Sequence, residues 1–179
     1  MSSKLFNQSG QTLLEIIVVI AVGVIVVGSL VFATIVSLRN AQFSKNQSEA
    51  TKLAQEGIEK VRSGRNRNAS IVGLFEQPIS WDDPRLWGAT AIKDSCNPDC
   101  YFVLGNNNGQ LDWIGSTPPD KPLPNCPPAE CLDVNVFKRV VILADDGSSV
   151  SSKKVTVIVA WNDFAGSHQS KLTTILRKL

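Results

Sequence analysis

Ile16 to Leu38 reads IIVVIAVGVIVVGSLVFATIVSL, 23 consecutive positions without a charge. As a helix this run is about 35 Å long, against a hydrocarbon core of about 30 Å. Val and Ile favour strands in water. A strand of this length with both faces apolar has no place in a soluble domain cut from a 179-residue chain. In a bilayer the backbone must satisfy its own hydrogen bonds, and a helix does so within one segment. A removable secretory signal has an apolar region of roughly 7–15 residues followed by a small-residue cleavage site. This run is longer and ends at Leu38-Arg39-Asn40 without such a site. The sequence therefore predicts a retained membrane helix.

One charge sits at the edge of the run. Glu15 lies between Leu13-Leu14 and Ile16-Ile17, where a carboxylate is costly and is a functional candidate by default. Its bland alternative is to snorkel to the headgroups. Residues 8–17 read Gln8-Ser9-Gly10-Gln11-Thr12-Leu13-Leu14-Glu15-Ile16-Ile17. This decapeptide resembles the processing site of type IV prepilins and type II secretion pseudopilins: a short polar leader ending in Gly, a Glu at the fifth mature position, and a long apolar helix at once. The resemblance implies a leader from Met1 to Gly10, cleavage by a prepilin peptidase between Gly10 and Gln11, and a mature chain beginning at Gln11. Glu15 then takes the fifth position. In the family that carboxylate pairs with the N-terminal amine of a neighbouring subunit. Gln11 stands where the family most often has Phe, and the run lacks the Pro often found in the family's helix.

Residues 39–63 continue the pattern in a different key. Ala50, Leu53, Ala54, Gly57, Ile58 and Val61 recur at steps of three and four, one face of a helix. Lys52/Glu56, Glu56/Lys60 and Glu59/Arg62 are spaced as helical ion pairs. Gly64 reads as the C-terminal stop. One helix of about 50 residues, on the order of 75 Å, is expected from the processing site to Gly64. The stretch LAQEGIEKVRS also resembles, more loosely, the corresponding part of minor pilins and pseudopilins.

Residues 65–132 are Pro-rich and irregular, except that Tyr101–Leu104 and Gln110–Ile114 around Gly105-Asn-Asn-Asn-Gly109 read as a β-hairpin. Trp81, Trp87 and Trp113 mark either a binding surface or a small core. Phe137–Ala144, Lys154–Trp161 and Lys171–Leu176 are β-rich, separated by Asp145-Asp146-Gly147 and Asn162-Asp163 with Gly166. They predict an antiparallel three-stranded sheet whose Val155, Val157, Val159 and Trp161 face the helix stripe of Leu53, Ile58 and Val61. The expected class is α+β: a long N-terminal helix, membrane-spanning in its first half, packed on a small antiparallel sheet. Such a head is also what the resemblance implies. The expected organisation is a leader at 1–10, an assembly half at 11–38, an amphipathic half at 39–64 and an exported head at 65–179.

Four Cys cluster in the head: Cys96, Cys100, Cys126 and Cys131. They suit disulfides in an oxidising compartment, with three possible pairings, better than a four-thiolate zinc site, which would favour tighter spacing. They also place the N-terminus in the cytoplasm and the head outside. His168 is the single His. No nucleophile motif surrounds any Ser, and neither Asp82-Asp83 nor Asp145-Asp146 fits a calcium loop. No enzyme, metal or cofactor is expected. A net charge of +2 with scattered basic residues gives no footprint for nucleic acid. The resemblance implies a minor pilin or pseudopilin whose partners are the prepilin peptidase, other pilin or pseudopilin subunits, the inner-membrane assembly platform and the membrane. The alternative is a single-pass anchored module that binds a ligand or protein outside any filament. Such a module would need no Gly10, Gln11 and Glu15 register.

Overall fold

The computed structural model describes residues 9–88, 90–96, 99–105, 109–116, 132–147 and 150–179. The chain opens with helix α1, Ser9–Asn66, followed by strands β1 (Ser70–Val72) and β2 (Ile79–Ser80). A 3-10 turn at Pro84–Leu86 and helix α2 (Ala91–Cys96) precede the hairpin of β3 (Asp99–Leu104) and β4 (Leu111–Gly115). Then come β5 (Leu132–Val134), β6 (Phe137–Asp145), β7 (Ser152–Asp163) and β8 (Gly166–Arg177). Contacts divide the chain into two units, Met1–Ser44 and Lys45–Leu179.

In the second unit the sheet is larger than the sequence suggests. It has eight strands in the order β2-β1-β4-β3-β6-β7-β8, with β5 also paired to β6. The expected three strands form its β6-β7-β8 meander, in which Phe137 pairs with Trp161 and Val157 with Leu172. The hairpin pairs Leu104 with Leu111 and Phe102 with Trp113. The extra strands β1, β2 and β5 are three, two and three residues long, too short for an alternating pattern to register. β1 runs parallel to β4, so the sheet is antiparallel but for this one pairing.

The core lies between this sheet and the C-terminal part of α1. Val155, Val157, Val159 and Trp161 alternate along β7 and are all fully buried, as the period of two requires for one packed face. Opposite them the helix presents Ala50, Ala54, Gly57 and Val61, while Leu53 and Ile58 flank the contact half-buried. The small residues let helix and sheet approach closely: a Cβ on Gly57 would stand 2.8 Å from Val157 Cγ1 and 3.2 Å from Arg139 Cδ. Helix and last strand run in the same direction. Thr51 Oγ1 meets Ser170 Oγ at 3.1 Å, and Arg65 Nη1 donates to Arg177 O at 2.9 Å.

Gly64 is not the helix stop. The helix runs on to Asn66 and closes at Asn68, which takes the left-handed conformation at φ 56°. Asn68 N–H bonds to Arg65 O at 3.0 Å and Ala69 N–H to Gly64 O at 2.8 Å, the nested pair that satisfies the last carbonyls of a helix. Asn, like Asp, enters this region more readily than other residues with a side chain. Gly64 serves a different need. A Cβ there would collide with the carbonyl oxygen of Gly109, and one on Gly109 would collide with that of Lys60. The hairpin loop crosses the helix backbone to backbone at this point.

Candidate functional site

The first unit holds the residues expected to serve processing and assembly, Gly10, Gln11 and Glu15. Gly10 and Gln11 fall in the first turn of α1, which begins at Ser9. The rest of the expected leader, residues 1–8, lies outside the described residues. Glu15 follows one turn later on an exposed helix surface, flanked by Leu13, Leu14, Ile16 and Ile17 at 58–66% exposure.

From Leu13 to Leu38, eighteen Leu, Ile, Val and Phe side chains are exposed, and they surround the helix rather than striping it. A soluble monomer rarely exposes a contiguous apolar patch beyond a few hundred Å². The surface therefore needs lipid or neighbouring chains as its solvent. An 18-residue window reaches a mean hydropathy of 3.1, long and apolar enough to cross a membrane. Two hydroxyls inside the run are adapted to that solvent: Ser29 Oγ donates to Val26 O at 2.8 Å and Thr34 Oγ1 to Val31 O at 2.7 Å. Each hydroxyl proton is thus satisfied within its own helix.

The matching family model is the prokaryotic N-terminal methylation motif, aligned to residues 5–31, which spans Gly10, Gln11, Glu15 and most of the apolar run. By its N-terminus, this is a type IV pilin-like chain. The family that the motif marks is structural rather than enzymatic, and the motif implies prepilin-type processing and membrane anchoring of this pilin-like chain. No curated protein and no solved structure matches it.

In the head, the structure joins Cys96 to Cys100, whose Cα atoms are 5.2 Å apart. The bond ties the end of α2 to the start of β3, and both residues are buried. Cys126 and Cys131 lie outside the described residues. Among the described residues no group of three or more His, Cys, Asp or Glu is placed to hold a metal. The acidic pairs have other work. Asp83 caps the 3-10 turn through Arg85 N–H at 2.8 Å and also binds the Arg85 side chain, which together hold its carboxyl below the usual range. Asp145 is not a solvated turn carboxylate. It accepts from the fully buried Lys153 ammonium and from Ile92 N–H at 3.2 Å. Lys153 also donates to Gly88 O at 2.7 Å, so this pair clamps the α2 segment onto the sheet.

Arg139 is the second buried cation that sequence reasoning missed. It is 3% exposed between helix and sheet, with Nη1 3.3 Å from Leu53 O and 3.7 Å from Glu56 Oε1. Burial lowers its pKa, opposed by the Glu56 charge and hydrogen bond. The Lys60 hydrogen bond, against a smaller opposing effect of burial and with help from Arg139, holds the Glu56 carboxyl below its ordinary value. Trp81 and Trp161 are core residues, Trp87 is half-buried with its indole N–H donating to Trp81 O, and Trp113 is 37% exposed. Of the three tryptophans between residues 81 and 113, Trp81 is core, Trp87 packs against the core and Trp113 is exposed. His168 stacks against Trp161, with ring centroids 5.4 Å apart, and its Nε2 lies 3.0 Å from Asp163 Oδ1. That arrangement braces the β7–β8 turn.

Proposed function

We propose that the chain is a structural subunit, a minor pilin or pseudopilin, of a type IV pilus or type II secretion-like filament. The observation that carries this reading is a register: Gly10, Gln11 and Glu15 set immediately before an apolar helix exposed on every side. A prepilin peptidase cuts after Gly10, where the Gly backbone is open, and the new amine of Gln11 is the site of N-methylation. Glu15 pairs with the Gln11 amine of a neighbouring subunit. An unpaired charge in an apolar filament core is heavily penalised, so the pair sets axial register more than it adds stability. The N-terminus faces the cytoplasm and the head lies beyond the membrane, a placement supported by the Cys96–Cys100 disulfide. Other pilin or pseudopilin subunits and the inner-membrane assembly platform are the partners in assembly.

The test is the intact mass and N-terminal sequence of the membrane-extracted protein, made with and without a prepilin peptidase. A peptidase-dependent start at Gln11 is expected; a chain still starting at Met1 beside an active cognate enzyme contradicts the reading. Glu15→Leu is expected to insert normally but to be lost from sheared filaments. Normal incorporation of that variant would remove the role given to Glu15.

A further inference from the structure

At the C-terminal end of α1 the fold builds a cleft of about 180 Å³ from three distant stretches: Arg65, Asn66 and Asn68, then Trp81 and Asp82, then Lys178. Its polar inventory is lopsided. The guanidinium of Arg65 is fixed by Arg177 O at 2.9 Å and by Asn66 Oδ1 at 2.7 Å. Asn68 Oδ1 accepts the backbone N–H of Asp82 at 3.0 Å. Both amide oxygens are therefore occupied by N–H groups, which fixes the amide orientation; the Asn66 NH₂ is left without a protein acceptor among the described residues, while the Asn68 side chain also hydrogen-bonds the Asp82 carboxyl. Trp81 Nε1 is buried and also meets no acceptor there, with Trp81 itself 2% exposed. Buried donors are paired in the great majority of cases, so an orphan beside a cleft asks for an explanation.

Charge points the same way. Neither Arg65 nor Lys178 has a carboxylate partner among the described residues. Asp82, the acidic side chain of the cleft, already accepts from the Ser80 hydroxyl and from the Asn68 side chain, which hold its carboxyl below the usual range. The negative end of a helix would ordinarily oppose an anion here. In this helix the carbonyls of Ser63, Gly64 and Arg65 are all taken by backbone N–H groups of the closing turn. Lys178 is held in place through its own backbone N–H, bonded to Ser151 O at 2.7 Å. Leu179, 81% exposed, edges the cleft without filling it.

We infer that this cleft binds the oxyanion of a small acid, a carboxylate or a phosphate, through Arg65, Lys178 and the amide NH₂ of Asn66. Such a site is charge-assisted on two sides and needs no metal. The experiment uses the full-length protein, ¹⁵N-labelled in detergent micelles, and follows the indole N–H resonances of its four Trp. The Trp81 signal is identified by its through-space contacts with Trp87, whose ring centroid is 6.4 Å away. Inorganic phosphate and glucuronate are titrated separately at ionic strength held constant with sodium chloride. The Trp81 resonance is expected to move saturably, with a midpoint on the order of 1–10 mM for at least one of the two acids. Lys178→Gln, on the exposed surface, is expected to raise that midpoint about tenfold, the loss of one charge-assisted contact, while the Trp161 resonance stays put. Saturation by phosphate alone defines a phosphate site, and by glucuronate alone a carboxylate site. A Trp81 response no larger than that to chloride, for both acids, overturns the inference. So does a Lys178→Gln variant that titrates like the parent protein.

Discussion

The two halves of α1 share one backbone conformation and almost nothing else. In the first, apolar side chains occur at nearly every position from Leu13 to Leu38 and all are exposed. In the second, small residues at Ala50, Ala54 and Gly57, with Val61, make a single buried stripe, and the Glu56–Lys60 and Glu59–Arg62 pairs lie on the exposed surface outside it. The difference is one of solvent. A helix whose surroundings are lipid or other apolar helices has no reason to segregate its faces. A helix between water and a sheet must do so. Hydrophobicity therefore says little about how tightly a stretch is packed: the more apolar half is the open one, and the Ala- and Gly-rich half is the one closed against a sheet.

The sharpest way to break the comparison is to damage the packed half alone. Trp161→Ala removes a fully buried ring set 6.0 Å, centroid to centroid, from Phe137. It is expected to cost the head about 3–5 kcal/mol. Thermal melts followed by near-ultraviolet circular dichroism would read this, while resistance of the protein to alkaline extraction from membranes should not change. A variant that also slips out of the membrane would mean that the halves are not separate in their physics.

A matched pair of substitutions comes next. Gly57→Val adds bulk where a Cβ already stands 2.8 Å from Val157, whereas Gly23 has nothing within 4 Å of its Cβ position. Gly57→Val is expected to destabilise the head by about 1–3 kcal/mol through overpacking. Gly23→Val should leave the same melt unchanged. Equal effects at the two sites would erase the contrast.

The smallest effect is electrostatic. The folded pKa values of Glu56 and Asp83 are lowered, chiefly by hydrogen bonds from Lys60 and Arg85. Their contribution is then present above the ordinary carboxylate range and disappears as pH falls through the lower folded values, below about pH 4. A modest drop in melting temperature over that window is expected, reduced in Glu56→Gln. These pairs are solvent-exposed in part, so the change stays small.

Much of this contrast is legible in the amino-acid sequence alone. An unbroken apolar run needs no tertiary information, and the Gly10, Gln11 and Glu15 register is local. Val155, Val157, Val159 and Trp161 announce a strand face by alternation alone. What stays hidden depends on distance along the chain. Nothing in the local sequence marks Lys153 and Arg139 as buried, because their acceptors at Gly88 O and Leu53 O lie 65 and 86 residues away. Gly64 reads as a stop because the loop that crosses it, at Gly109, also lies far along the chain. Asn68, the true left-handed residue, has the right chemistry but competes with a glycine four positions earlier. The donor-rich cleft is assembled from residues 65–68, 81–82 and 178, so no window of sequence contains it.

The crossing of Gly64 and Gly109 also bears on how this sequence is free to change. Elsewhere in the head a substitution can be absorbed by a neighbour that turns to another rotamer or trades volume. At this crossing each glycine faces backbone, and backbone has no rotamer to offer. Gly109 carries the further constraint of φ +89°. Drift in either residue cannot be repaired by an ordinary compensating change next door. Among variants of this chain the pair should behave as one inherited unit, kept together or lost together with the hairpin's seat on the helix.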